Sequence, residues 1–97
     1  MRMMMKMSVP VEAGNEALRS GRLPQLLGDL LDRMKPEATY FVVEDGRRGA
    51  HIVFDLQDPS MLPVIAEPLY QELNARVEFV PVMNLEDMQK ALAGMQQ

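Results

Sequence analysis

Apolar residues follow two different spacings along this chain, and the change from one spacing to the other restricts the fold more than any other feature. Within residues 2–11, the apolar side chains that share one side of an extended chain are Met3, Met5, Met7 and Val9. This period of two is typical of a β-strand with one buried face. Between residues 23 and 34 the apolar positions are instead three or four residues apart, as on one side of an amphipathic helix.

The rest of the chain likewise alternates between segments with the spacing of a helix and segments typical of a strand. Residues 13–20 predict a short helical turn that Gly21 interrupts, and the helix over 23–34 is stopped by Lys35-Pro36. β-Branched and aromatic residues predict three more strands, over residues 38–45, 50–56 and 76–83. Apolar spacing predicts two more helices, over residues 60–74 and 85–95.

Prolines and capping residues refine the ends of these elements. Asp58-Pro59 is typical of a helix N-cap followed by a first-turn proline, and Asn84 is suited to cap the last helix. Pro63 and Pro68 lie inside an apolar stripe, so we expect a kinked or broken helix there. Pro81 favours an edge position for the strand that contains it, because a central strand needs the missing N–H.

Asp45-Gly46 lies between two strand-like segments and predicts a β-hairpin. With Gly46-Arg47 as the loop, Val42 would lie opposite His51. One face of the hairpin would then be nearly all apolar, with Thr39, Phe41, Val43, Ala50, Ile52, Phe54 and Leu56. The other face would be mixed, with Tyr40, Val42, Glu44, His51, Val53 and Asp55.

The predicted order of elements is β-α-β-β-α-β followed by a C-terminal helix, in one α+β domain over residues 1–97. Two β-α-β halves of this kind are characteristic of the ferredoxin-like arrangement. Right-handed crossovers would place both long helices on one face of a four-stranded antiparallel sheet. The expected strand order is 4-1-3-2, which places the strand with Pro81 at an edge.

Composition excludes several classes of function. The chain has no cysteine and one histidine, so disulfides, thiolate chemistry and sites with several histidines are excluded. A net charge of −4 argues against a general nucleic-acid binder. The apolar opening segment ends at Pro10, far short of the roughly 20 residues of a membrane span. We expect a cytoplasmic protein that uses no metal and no cofactor.

Two helices can cover only one face of the predicted sheet, and the other face, here called the open face, is too apolar to be left in water. Its apolar members are Met4, Tyr40, Val42, Val53, Val80 and Val82. Two coverings fit the sequence. A second copy of the chain would form a closed dimer, sheet against sheet, and this is the arrangement we expect. Alternatively, the helix over 85–95 would fold across its own sheet through Met88, Ala91, Leu92 and Met95.

Local motifs along nearly the whole chain resemble those of small bacterial proteins of unknown function in the dimeric α+β barrel group. They are Pro10-Val11-Glu12-Ala13-Gly14-Asn15-Glu16-Ala17, Gly21-Arg22-Leu23-Pro24, Lys35-Pro36-Glu37-Ala38, Phe54-Asp55 with Asp58-Pro59-Ser60, and Pro81-Val82-Met83-Asn84. The resemblance implies two ferredoxin-like subunits that pack their sheets together. The wider group includes isomerases, cofactor-independent monooxygenases, haem-degrading enzymes and stress-responsive proteins, but no catalytic motif of those enzymes matches positions here.

The candidate chemistry centres on His51, the only histidine, which shares the mixed face with Tyr40, Glu44 and Asp55. A histidine with a carboxylate beside it can transfer protons near neutral pH. Such a group is more often a hydrogen-bonded cluster with a structural role at an interface. Arg47 and Arg48 at the hairpin tip fit an anion clamp, although a solvated turn is again commoner.

Three functions follow from these patterns. The first is a homodimer that binds a small apolar or aromatic molecule between sheet and helices or inside the barrel. The second is a cofactor-free isomerase or monooxygenase that uses His51 as a proton shuttle. The third is a structural or regulatory module that recruits another protein through its sheet.

Overall fold

The computed structural model describes residues 1–96, and Gln97, the last residue of the predicted domain, lies outside the described residues. The strands and helices follow the predicted order with one helix more before the second strand. They are β1 (Arg2–Val9), α1 (Val11–Arg19), α2 (Arg22–Met34), β2 (Ala38–Glu44), β3 (Arg47–Asp55), α3 (Met61–Leu73), β4 (Arg76–Pro81) and α4 (Leu85–Met95).

The four strands form one antiparallel sheet in the order β2-β3-β1-β4. Read from the β4 edge, the same neighbours give 4-1-3-2. In the middle of the sheet, Met5 lies opposite Ile52 on one side and Phe79 on the other. Pro81 lies on an edge strand, where its missing N–H removes no bond from a central ladder. This α+β layout is compatible with a ferredoxin-like fold.

The core lies between one face of the sheet and the helices. The side chains of β1 that the period of two assigns to one face are all buried: Met3, Met5, Met7 and Val9. They pack with Ile52 and Phe54 of β3 and with the apolar stripe of α3. Phe54 and Phe79 meet edge to face, with ring centroids 6.2 Å apart and planes at 67°, a geometry that aromatic quadrupoles favour.

The hairpin register differs from the prediction by two residues. Tyr40 lies opposite His51, and Glu44 opposite Arg47, which leaves Asp45-Gly46 as the loop. Both loop residues have positive φ, 53° at Asp45 and 70° at Gly46. A type I′ turn requires positive φ at both central residues, and Asp-Gly is among the sequences that adopt it most readily. The predicted loop Gly46-Arg47 was therefore wrong, whereas the two faces of the hairpin were assigned correctly.

Two helix starts also differ from the prediction. The predicted turn over 13–20 is a full helix that begins directly after Pro10. Helix α3 begins at Met61, later than Asp58-Pro59 implied. Asp58 instead closes a turn just before α3, because its Oδ1 accepts bonds from the Ser60 N–H at 2.9 Å and the Ser60 hydroxyl at 2.7 Å. These two bonds stabilise the carboxylate and lower the pKa of Asp58 below its usual value of 3.8.

Of the predicted kink or break at its prolines, the break is absent, because helix α3 is continuous from Met61 to Leu73. Pro63 lies in the first turn, where no N–H partner is needed. Pro68 removes the N–H that would bond to the carbonyl of Val64. The Nη1 of Arg33 from α2 donates to that carbonyl at 3.3 Å instead. A neighbouring helix therefore satisfies the group that the proline leaves without its partner.

The helices do not cover the whole of their face of the sheet. Phe41 and Val43 on the edge strand β2 belong to the face that the sequence assigned to the core, yet they are 61% and 79% exposed. The two helices therefore leave part of the predicted apolar face uncovered. Helix α2 packs through Leu26, Leu30 and Met34, and the apolar edge of the hairpin extends beyond the helical layer.

Helix α4 adds nothing to the core of its own chain, and none of its residues is buried. Its start is fixed by a capping box between Asn84 and Asp87, as the sequence predicted for Asn84. Asp87 also accepts a bond from Arg2 at 2.7 Å. A side-chain hydrogen bond to Glu37, together with the charges of Glu37 and Asp87, raises the pKa of Arg2.

The apolar stripe of α4 is not buried by any other part of the chain within residues 1–96. Leu85, Met88, Leu92 and Met95 are all exposed. On the open face, Tyr40 and Val80 are exposed as well, so α4 does not cover that face in the way that the alternative arrangement required. The molecule measures 57 × 27 × 17 Å with a radius of gyration of 15.6 Å, against about 13 Å for a compact domain of this size.

Candidate functional site

The two faces of the β2–β3 hairpin carry two concave surfaces of opposite character. On the helix side, an apolar groove of about 330 Å³ lies between the hairpin and helices α1 and α2. On the open side, a polar hollow of about 440 Å³ surrounds His51. Because the hairpin separates them, side chains of neighbouring residues in β2 point into different sites.

The apolar groove is built from the part of the sheet that the helices leave uncovered. Its walls and floor include Val9 of β1, Leu23 and Leu27 of α2, and Phe41 and Val43 of β2. Leu23 and Leu27 are one helical turn apart, so both face the hairpin. A surface of this size lined by aliphatic and aromatic side chains is typical of a site for a small apolar molecule.

Arg48 contributes the only polar side chain among the described residues that line the apolar groove. It follows the turn in β3 and pairs with Val9 on one side and Val43 on the other. Its Nη2 donates to the side-chain oxygen of Asn15 in α1 at 3.0 Å. The groove thus has an apolar interior and one fixed cation at its border.

In the polar hollow, His51 contacts Glu44 directly, with 2.6 Å between Nε2 and Oε1. Gly49, two residues before His51 in β3, also lines the hollow. With Glu44 included, the charges that line the hollow are balanced in sign: Lys6, Arg47 and Arg76 against Glu44, Asp45 and Glu78. Arg76 and Glu78 form a pair at 3.1 Å.

The structure brings three of the four predicted site residues together. His51 and Glu44 are in contact, and Tyr40 lies directly opposite His51 in the ladder. Asp55 lies at the far end of β3, where its Oδ1 binds the N-terminal ammonium group at 2.7 Å. Of the four residues, His51 and Glu44 line the hollow, whereas Tyr40 and Asp55 do not. A histidine held by a carboxylate can accept or donate a proton, although this hollow is polar and wide open to solvent.

The sequence predicted an apolar site between sheet and helices, but it did not identify Phe41 and Val43 as part of its lining, because both carried the same pattern as core residues. An alternating apolar strand indicates that one face is buried but not what buries it. The sequence did contain one indication of the polar residue of the groove. Arg47 and Arg48 are adjacent in a strand and point to opposite faces of the hairpin, so only one of them can adjoin the groove.

Comparison of the chain with family models, with curated proteins and with solved structures gave no match. Within residues 1–96, no group of three or more His, Asp or Glu side chains is placed to hold a metal ion. Among the helices described, none has both the length and the apolar character needed to cross a bilayer.

Proposed function

We propose that the protein is a binding domain that takes a small apolar or aromatic molecule into the apolar groove. The observation that carries this proposal is the exposure of Phe41 and Val43 beside Leu23 and Leu27 of α2. A ligand that covers these side chains would gain binding free energy of about 25 cal/mol for each Å² of apolar surface that it removes from water. Cytoplasmic location stays a prediction from the sequence.

We further propose that the working form is a homodimer in which a second copy covers the open face, in the manner of the dimeric α+β barrel. Two features support this proposal. Tyr40 and Val80 remain exposed on the open face, and the rest of the described chain, residues 1–96, leaves the apolar stripe of α4 exposed. A two-fold interface uses each surface twice, so one chain can supply everything that its partner needs.

A second candidate function is proton transfer at His51 in a cofactor-free isomerase or monooxygenase. The 2.6 Å contact between His51 and Glu44 favours it, since a carboxylate can orient the imidazole for acid–base work. The substrate would then lie in the polar hollow rather than in the apolar groove, and the two candidates place their ligands on opposite faces of the hairpin.

Adjacent residues of β2 provide a test with a built-in control. The affinity for a neutral apolar fluorophore, N-phenyl-1-naphthylamine, is measured by fluorescence titration. We expect Phe41→Ser to weaken binding about tenfold, which corresponds to about 1.4 kcal/mol. Tyr40→Ser removes an equally exposed aromatic ring from the opposite face and should leave the affinity unchanged. Loss of binding only in Tyr40→Ser would move the site to the open face, and absence of binding by the native protein would reject the proposal.

A further inference from the structure

Arg48 is held in a fixed place at the border of the apolar groove. Its guanidinium group lies against the first turns of α1, where Nη2 donates to Asn15 at 3.0 Å. Gly14 leaves the room for this contact, because a Cβ at that position would lie 2.6 Å from Nη1 of Arg48. A guanidinium group that is positioned before a ligand arrives loses little freedom when it binds one.

The positive charge of Arg48 is not neutralised by the protein. Within residues 1–96, none of the ion pairs involves Arg48, and its partner Asn15 is a neutral amide. An arginine carries five N–H donors, and Arg48 gives one of them to Asn15. The side chain is only half-exposed, so a fixed cation with free donors borders an otherwise apolar site.

We infer that the ligand of the apolar groove is an amphipathic monoanion, with a carboxylate bound by Arg48 and an apolar body in the groove. A planar carboxylate matches the donor geometry of a guanidinium group. One arginine neutralises one negative charge, and the lining offers no second cation for a more highly charged head group. This inference rests on the proposed function, since it names the chemical class of the molecule that the groove binds.

The inference is tested with two ligands that share a chain and differ in the head group, octanoate and 1-octanol. Their affinities are measured at pH 8 by displacement of N-phenyl-1-naphthylamine. A carboxyl group is fully ionised at that pH. We expect octanoate to bind at least tenfold more tightly, because hydrogen bonds between charged partners are stronger than those to a neutral hydroxyl.

Two neighbouring arginines provide the matched variants. Arg48→Gln should abolish the preference for octanoate, so that the two ligands bind with equal affinity. Binding of 1-octanol that can still be measured in this variant shows that the groove is folded. Arg47→Gln removes the same charge on the polar side of the hairpin and should change neither affinity.

Equal affinities of the native protein for the two ligands would overturn the inference and leave the apolar groove as a binding site. The same loss in both arginine variants would overturn it too, because the preference would then arise from net charge alone. Failure of both ligands to bind would contradict the proposed function itself, and this inference with it.

Discussion

At the scale of single residues, Gly49 is required for the close pairing of β3 with β1. A Cβ at this position would lie 2.6 Å from the carbonyl oxygen of Met7 and 3.4 Å from a methyl group of Val42. The strands can pair here only because no side chain intervenes. Gly49 also lines the polar hollow together with His51 and Glu44, so one glycine both permits the pairing of β1 with β3 and forms part of the wall of the hollow.

We therefore predict that Gly49→Ala lowers the free energy of unfolding by about 1–3 kcal/mol, the usual cost of forcing atoms into an occupied space. Urea denaturation at one protein concentration measures this change. Gly28→Ala is the control, because a Cβ at residue 28 of α2 meets nothing within 4 Å. That substitution should raise the free energy of unfolding by about 1 kcal/mol through helix propensity. A neutral Gly49→Ala would show that β1 and β3 have room for a methyl group.

At the scale of elements, the continuity of α3 depends on a residue of another helix. The carbonyl of Val64 has lost its helical partner to Pro68, and Arg33 donates to it across the gap between α2 and α3. Sequence periodicity identified both helices and their buried sides, but it cannot show that a distant arginine satisfies a particular carbonyl. The sequence therefore could not decide between a kink and a break at the prolines, and the break is absent.

This arrangement predicts an interaction between two substitutions. Arg33→Met keeps the apolar stem and removes the donor, so it should lower the free energy of unfolding by about 0.5–1.5 kcal/mol. In a Pro68→Ala background the N–H of residue 68 can bond to Val64, and Arg33→Met should then cost almost nothing. Urea denaturation of the four proteins gives the coupling energy. If Arg33→Met lowers the free energy of unfolding equally in both backgrounds, Arg33 stabilises the protein through contacts other than the carbonyl of Val64.

The hairpin shows which part of a fold the sequence can predict. A slip of two residues leaves every side chain on its original face, so the apolar pattern of β2 and β3 fits the predicted and observed registers equally well. Only the turn distinguishes them, through the positive φ values of Asp45 and Gly46. The candidate site depended on this detail, since it decides that Tyr40 rather than Val42 lies opposite His51.

At the scale of the whole molecule, the surfaces left without partners are more informative than the core. The open face, the apolar groove and the stripe of α4 all expose apolar side chains. The sequence predicted that the open face needs a covering, and the structure shows that α4 of the same chain does not provide it. Patterns within one chain do not reveal contacts between chains, because a residue buried by a partner has the same periodicity as a residue buried by its own domain.

The stripe of α4 leads to a prediction about assembly. If a second copy covers these surfaces, the native protein should sediment as a dimer at micromolar concentration in analytical ultracentrifugation. Leu92→Glu places a charge in the stripe and should shift the protein to monomers, because an unpaired charge in an apolar interface is costly. Ala93→Glu adds the same charge to the exposed side of α4 that is turned away from the stripe, so this variant should remain dimeric.

The two variants separate the role of the stripe from that of net charge, which they change equally from the native value of −4. A native protein that sediments as a monomer would contradict the proposed dimer. Dimers that persist in Leu92→Glu would keep the open face as the interface but exclude α4 from it. In that case Val80→Glu, on the exposed edge strand β4, should dissociate them, since it places a charge within the sheet-to-sheet contact that would then remain.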